Sequence, residues 1–123
     1  VIELIEEFVD YRARLNKLIN EKGNLHTKRF MNLDSQVYEE GALSTKTKEM
    51  LGLVASMVLR CNDCITYHMI RLFQLGTTDD EFFEIFNVAL IVGGSIVIPH
   101  LRKAVEALEE LREKERDGET VSL

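Results

Sequence analysis

The stretch STKTKEMLGLVASMVLRCNDCITYHMIRLFQLG, residues 44–76, decides the fold. From Ser44 onward Met50, Val54, Met57 and Val58 recur at helical spacing, and a serine at this point can cap a first turn. A helix is therefore expected over about 45–60, with those four side chains inward. Arg60–Asp63 interrupts the pattern. Asn62 and Asp63 bond readily to nearby backbone, which makes them poor in helix interiors and good at helix starts. A second helix is expected to begin there and to end at Leu75–Gly76. The break folds the chain back near Leu59.

The same punctuation extends in both directions. Upstream, Leu4/Ile5, Phe8, Tyr11/Arg12, Leu15 and Leu18/Ile19 mark a helix over about 2–22, stopped by Gly23. A shorter helix is expected over about 27–39, with Phe30, Leu33 and Val37 on one face and Gly41 beyond its end. Downstream, Thr78 with Glu81 makes a capping-box pattern for a helix over about 79–92, broken by Gly93-Gly94. That helix has almost no polar face, so it is expected to be central. The apolar stretch Phe82–Pro99 carries Glu84, Asn87 and the glycine pair, and it reads as buried core or subunit interface rather than a membrane span. A last helix, about 96–116, places Leu101, Val105, Leu108 and Leu111 on one face and charges on the other, followed by a loosely held tail at Asp117–Leu123. No segment alternates apolar and polar for long enough to make a sheet. The expectation is an all-α single domain over 1–123 of about six helices.

Composition narrows the function. Of 123 residues, 46% are hydrophobic, enough for a core, and 21 acidic against 15 basic residues give a net charge of −6. That balance excludes the basic face a nucleic-acid binder needs and offers no attraction to anionic membranes. Val1–Asp10 carries Glu3, Glu6, Glu7 and Asp10, the wrong charge for a secretory leader. Two cysteines three residues apart are not a stapled secreted scaffold. A cytoplasmic location is expected.

The chemistry sits at Cys61-Asn62-Asp63-Cys64 and His68. A C-x-x-C spacing lets two sulfurs form a disulfide or share one metal. His68 follows Cys64 by four residues, one helical turn on the same face, where an imidazole can take the thiol proton directly or through one water. A helix start favours a thiolate as well. Cys64 is therefore the better nucleophile and Cys61 the resolving thiol. Glu49 precedes Cys61 by 12 residues; on one straight helix it would lie about 18 Å away. With the chain folded back, Glu49 and His68 lie nearly level on adjacent helices, and the carboxylate can orient the ring.

Glu49-x11-Cys61-x2-Cys64-x3-His68 resembles the signature of the carboxymuconolactone decarboxylase and AhpD-like superfamily. The resemblance covers most of the chain, including Ser44–Glu49 opening a helix and the Gly76–Glu81 turn. It implies an all-helical fold that assembles as trimers or hexamers. In the peroxidase branch it implies a proton relay in which Glu49 and His68 activate Cys64, Cys61 closes a disulfide, and a dihydrolipoamide-type or other dithiol restores the thiols. The expected activity is reduction of a hydroperoxide, with no cofactor. Two departures stand out. Asp63 occupies the position where well-known members carry a histidine between the cysteines, and an acid there raises the pKa of a nearby thiol. The chain is also shorter than those enzymes. The decarboxylase branch usually lacks the cysteine pair, so lactone decarboxylation is not expected.

These residues also admit other meanings. Two cysteines can be plain core residues. Cys61, Cys64 and His68 have zinc-ligand spacing, with His100, His26 or Glu49 as a fourth ligand, but no second close ligand pair is present. Attachment of c-type haem needs a histidine where Ile65 stands, and a thioredoxin fold needs a βαβ pattern that is missing. A general thiol–disulfide oxidoreductase using the same residues is the rival within enzymes.

Overall fold

The computed structural model describes residues 3–123, so the expected first turn at residue 2 lies outside them. Six helices follow one another: α1 Leu4–Lys22, α2 Leu25–Val37, α3 Thr45–Val58, α4 Asn62–Gln74, α5 Asp79–Gly93 and α6 Ile98–Arg116, with one 3₁₀ turn at Ser95–Val97 before α6. The fold is all-α. Helices α3 and α4 form the central hairpin, with α5 packed on α3 and α6 on α4, while α1 lies across α6 and α4.

The hairpin explains the site's position. The Ser44 hydroxyl accepts the Thr47 N–H at 3.0 Å and starts α3. At the other end Arg60 N–H bonds to Met57 O and Cys61 N–H to Ser56 O, the paired bonds that close a helix around a left-handed residue. That residue is Arg60, at φ 61°. The start of α4 differs from expectation by one residue. Its cap is Cys61, whose sulfur accepts the Cys64 N–H at 3.2 Å, and Asn62 is the first helical residue. Arg60 turns the chain so tightly that Cys61, not Asn62 or Asp63, reaches the cap position.

The core runs through the hairpin and its two flanking helices. Leu53 and Met57 from α3, Ile65, Met69 and Leu72 from α4, Phe82 and Phe86 from α5, and Ala104 and Leu111 from α6 are fully buried. The alanines on α6 allow close approach, so its buried face is Ala104, Ala107, Leu108 and Leu111, with Leu101 and Val105 half-buried at its margin.

Several features depart from expectation here. Helix α2 starts at Leu25 rather than 27 because Asn24 caps the His26 and Thr27 N–H groups. Its stripe of Phe30, Leu33 and Val37 faces outward, with Phe30 69% exposed, and no α2 residue is buried. Helix α5 buries Phe82, Ile85, Phe86 and Ala89 but leaves Phe83, Val88, Ile91 and Val92 exposed, because one chain covers only one side of it. The tail is not loose throughout: Val121 packs against the core and its carbonyl accepts the Gln74 amide at 2.8 Å.

Glu81 ties two helix starts together. It closes the capping box with Thr78 and pairs with Lys46 at 3.0 Å. The Thr78 backbone N–H first, and Lys46 second, hold its carboxyl below the ordinary 4.5. A lowered carboxyl stabilises the fold above its unfolded pKa and loses that contribution as pH falls through the folded value. Glu81→Gln is therefore expected to unfold at lower urea than wild type at pH 7, with the gap closing on acidification. A gap that persists at pH 3 would mean the amide costs stability for another reason.

Candidate active site

Cys61 and Cys64 form a disulfide at the start of α4. Cys61 is half-buried under its cap bond, whereas Cys64 is exposed in the first turn. One turn on, His68 is buried, and its Nδ1 lies 2.7 Å from Oε1 of Glu49 on α3. The carboxylate oxygen accepts, so Nδ1 carries the hydrogen. That leaves Nε2 with its lone pair free to act as a base. Glu49 is fully buried, and a lone carboxylate there would be costly without partners. Its second oxygen accepts no hydrogen bond within the described residues but lies 3.6 Å from Arg71 Nε. Arg71 in turn bonds to Gln74, which holds the tail at Val121.

Cys64 and His68 open onto one cavity of about 560 Å³. Its walls are largely apolar and aromatic, with Phe8 and Leu15 from α1, Tyr38 after α2, and Tyr67 beside His68. Such a volume suits a small organic molecule. Tyr67 stands edge-on to His68 at 5.2 Å between ring centroids, with the Arg12 guanidinium over its ring at 4.8 Å. Asp63 also lines this space. Burial first, then the charge of Glu49, pushes the phenols of Tyr38 and Tyr67 above their usual value of 10, so both keep their protons at neutral pH.

Two residues beside the His68–Glu49 pair carry no signal readable in the sequence. Gly52 on α3 lies under the ring: a Cβ there would be 2.6 Å from Cε1 and 2.8 Å from Nε2. Arg71 looks in the sequence like one more surface charge.

The zinc set does not assemble. Among the described residues no group of three or more His, Cys, Asp or Glu is arranged to hold a metal ion. His26 sits exposed at the start of α2, and His100 Nδ1 bonds instead to Asn62 Oδ1 at 2.8 Å.

A dithiol at a helix start, backed by a buried histidine–carboxylate pair inside a helical hairpin, places the chain in the class of small all-helical dithiol proteins. It belongs to the carboxymuconolactone decarboxylase family, whose model matches residues 24–110, and with it to the AhpD-like superfamily. A family member from Thermotoga maritima, for which involvement in an antioxidative response has been suggested, is 61% identical, with a TM-score of 0.91 over 95% of this chain and 99% of that one. A family member from Legionella pneumophila, solved in its apo form, is 31% identical, with a TM-score of 0.71 over 91% of this chain and 97% of that one. An uncharacterised protein of the cox locus of Paracoccus denitrificans is 28% identical over 82 residues, 67% of this chain and 74% of its own length. Family membership and the Cys61–Cys64 disulfide together fit a redox role. No helix among the described residues is long and apolar enough to cross a membrane.

Proposed function

We propose that the chain is a thiol-dependent peroxidase that reduces hydroperoxides through Cys64 and Cys61. The observation that carries this reading is the buried His68–Glu49 pair, which leaves Nε2 free beside the cavity that the exposed Cys64 also lines. His68 Nε2 takes the Cys64 proton. The thiolate attacks the terminal oxygen of the O–O bond, giving Cys64 sulfenic acid, and the oxygen that leaves takes up the proton held on His68 Nε2 to depart as an alcohol or water. The Cys61 thiol then attacks that sulfur, expels water and forms the disulfide. An external dithiol, of lipoyl type or carried on another protein, attacks the exposed Cys64 sulfur and restores both thiols. We place the protein in the cytoplasm, the compartment in which such reductants keep thiols reduced. The test is hydroperoxide consumption by the purified protein with dihydrolipoamide as donor. Rapid reduction of insulin disulfides without peroxide consumption would assign the site to general thiol–disulfide exchange.

The unpartnered apolar faces belong in the same reading. A monomer rarely exposes a row such as Phe83, Val88, Ile91 and Val92, with Ile91 84% exposed. We infer that a second copy covers it in a homo-oligomer, a trimer or a hexamer. Ile91→Asp is expected to shift the mass measured by light scattering toward the monomer while the helical circular dichroism stays unchanged. An unchanged mass would place the contact elsewhere.

A further inference from the structure

We propose that the Tyr38 hydroxyl is a further catalytic group of the peroxide-reducing step, donating a hydrogen bond and then a proton to the oxygen that leaves as the O–O bond breaks. This rests on the peroxidase reading above.

The position of Tyr38 is built, although the rest of α2 is exposed. The Thr45 hydroxyl donates to Tyr38 O at 2.8 Å, and the Lys48 ammonium donates to Val37 O at 2.8 Å and Glu39 O at 2.6 Å. Three bonds from α3 thus fix this turn to the helix that carries Glu49. The Tyr38 ring lies 5.7 Å from the His68 ring, centroid to centroid. A Cβ on Gly52 would lie 2.8 Å from Nε2 of His68 and 3.0 Å from the Tyr38 hydroxyl, so the two polar atoms converge over this glycine. Both residues line the cavity with Cys64. The hydroxyl makes no hydrogen bond to another described residue, which leaves it free for a ligand. Tyr67 is the weaker candidate, because it meets His68 edge-on and lies beneath Arg12.

The chemistry calls for a donor here. When the thiolate attacks, an alkyl hydroperoxide releases an alkoxide, a strong base whose developing charge a placed donor stabilises. His68 holds the proton taken from Cys64 on Nε2. The Tyr38 hydroxyl gives its proton to the alkoxide and is reprotonated from Nε2, through a water where the gap requires one. The sum is Cys64 thiol plus hydroperoxide giving Cys64 sulfenic acid plus alcohol, with no proton drawn from elsewhere. The phenol stays protonated at neutral pH through its burial and the charge of Glu49, as the donor role demands.

The test is Tyr38→Phe in single-turnover oxidation of the pre-reduced protein, quenched by alkylation, with two oxidants. tert-Butyl hydroperoxide releases an alkoxide; peroxyacetic acid releases acetate, which needs no proton. The variant is expected to slow with the first by about 10²-fold and to match wild type with the second. Equal loss with both would make Tyr38 a packing residue, and no loss with either would leave it no part in the step. Either result overturns the proposal while the peroxidase reading stands. Wild-type protein inert to tert-butyl hydroperoxide would sink both.

Discussion

Cys64→Ser is expected to lower peroxide consumption by about 10³-fold or more, because the reacting atom itself is removed. Cys61→Ser is expected to behave differently. It should consume one equivalent of peroxide at close to the wild-type rate and then stop, holding a Cys64 sulfenic acid that a dimedone-type reagent captures. The difference follows from the start of α4. Cys64 is exposed and lines the cavity with His68 four residues on, whereas Cys61 is half-buried with its sulfur engaged by the Cys64 N–H. A serine at 61 keeps an oxygen able to accept that N–H, so the helix start survives the change. Steady-state consumption with a dithiol and stopped-flow oxidation of the reduced variants separate the two roles. Sulfenic acid trapped on Cys61 in the Cys64→Ser variant, at full rate, would reverse the assignment.

Much of this fold could be read from helix punctuation, since caps are short-range chemistry. Ser44, the Thr78–Glu81 box and Gly76 act within one turn of themselves, and each stands in the structure where its residue type requires. The break at residues 60–63 also carries the tertiary consequence that brings Glu49 on α3 level with His68 on α4. Faces were harder. Phe30, Leu33 and Val37 are spaced as a core stripe is, but spacing shows only that side chains share a side, not that a partner exists to cover them. The same limit applies to α5, where an almost fully apolar helix buries one side and exposes the other. Tyr38 and Gly52 were invisible for a third reason. They carry no local signal and acquire meaning only when α3 and the turn after α2 close on the His68 ring.

Gly52→Ala is expected to cost about 10²-fold in peroxide turnover, the scale of a misplacement of about 1 Å at a catalytic group. The added methyl carbon would lie 2.6 Å from Cε1 and 2.8 Å from Nε2 of His68 and 3.0 Å from the Tyr38 hydroxyl, distances ordinary contacts do not reach. The neighbour is not a flexible tip that can swing aside. His68 is buried and held by Glu49 at 2.7 Å, so relief requires the ring to leave its carboxylate or α3 and α4 to part. Stability decides between two opposed effects. Alanine in a helix interior is favoured over glycine by about 1 kcal/mol, while overpacking a filled site costs about 1–3 kcal/mol. The net expectation is a modest loss in the urea midpoint with a far larger loss in turnover, because the displaced group is the proposed base. The His68 ring signals in a proton–nitrogen spectrum should shift together with that loss. A Gly52→Ala protein more stable than wild type and fully active would show that the ring has room to move, and that its placement against α3 does not set the chemistry of Cys64.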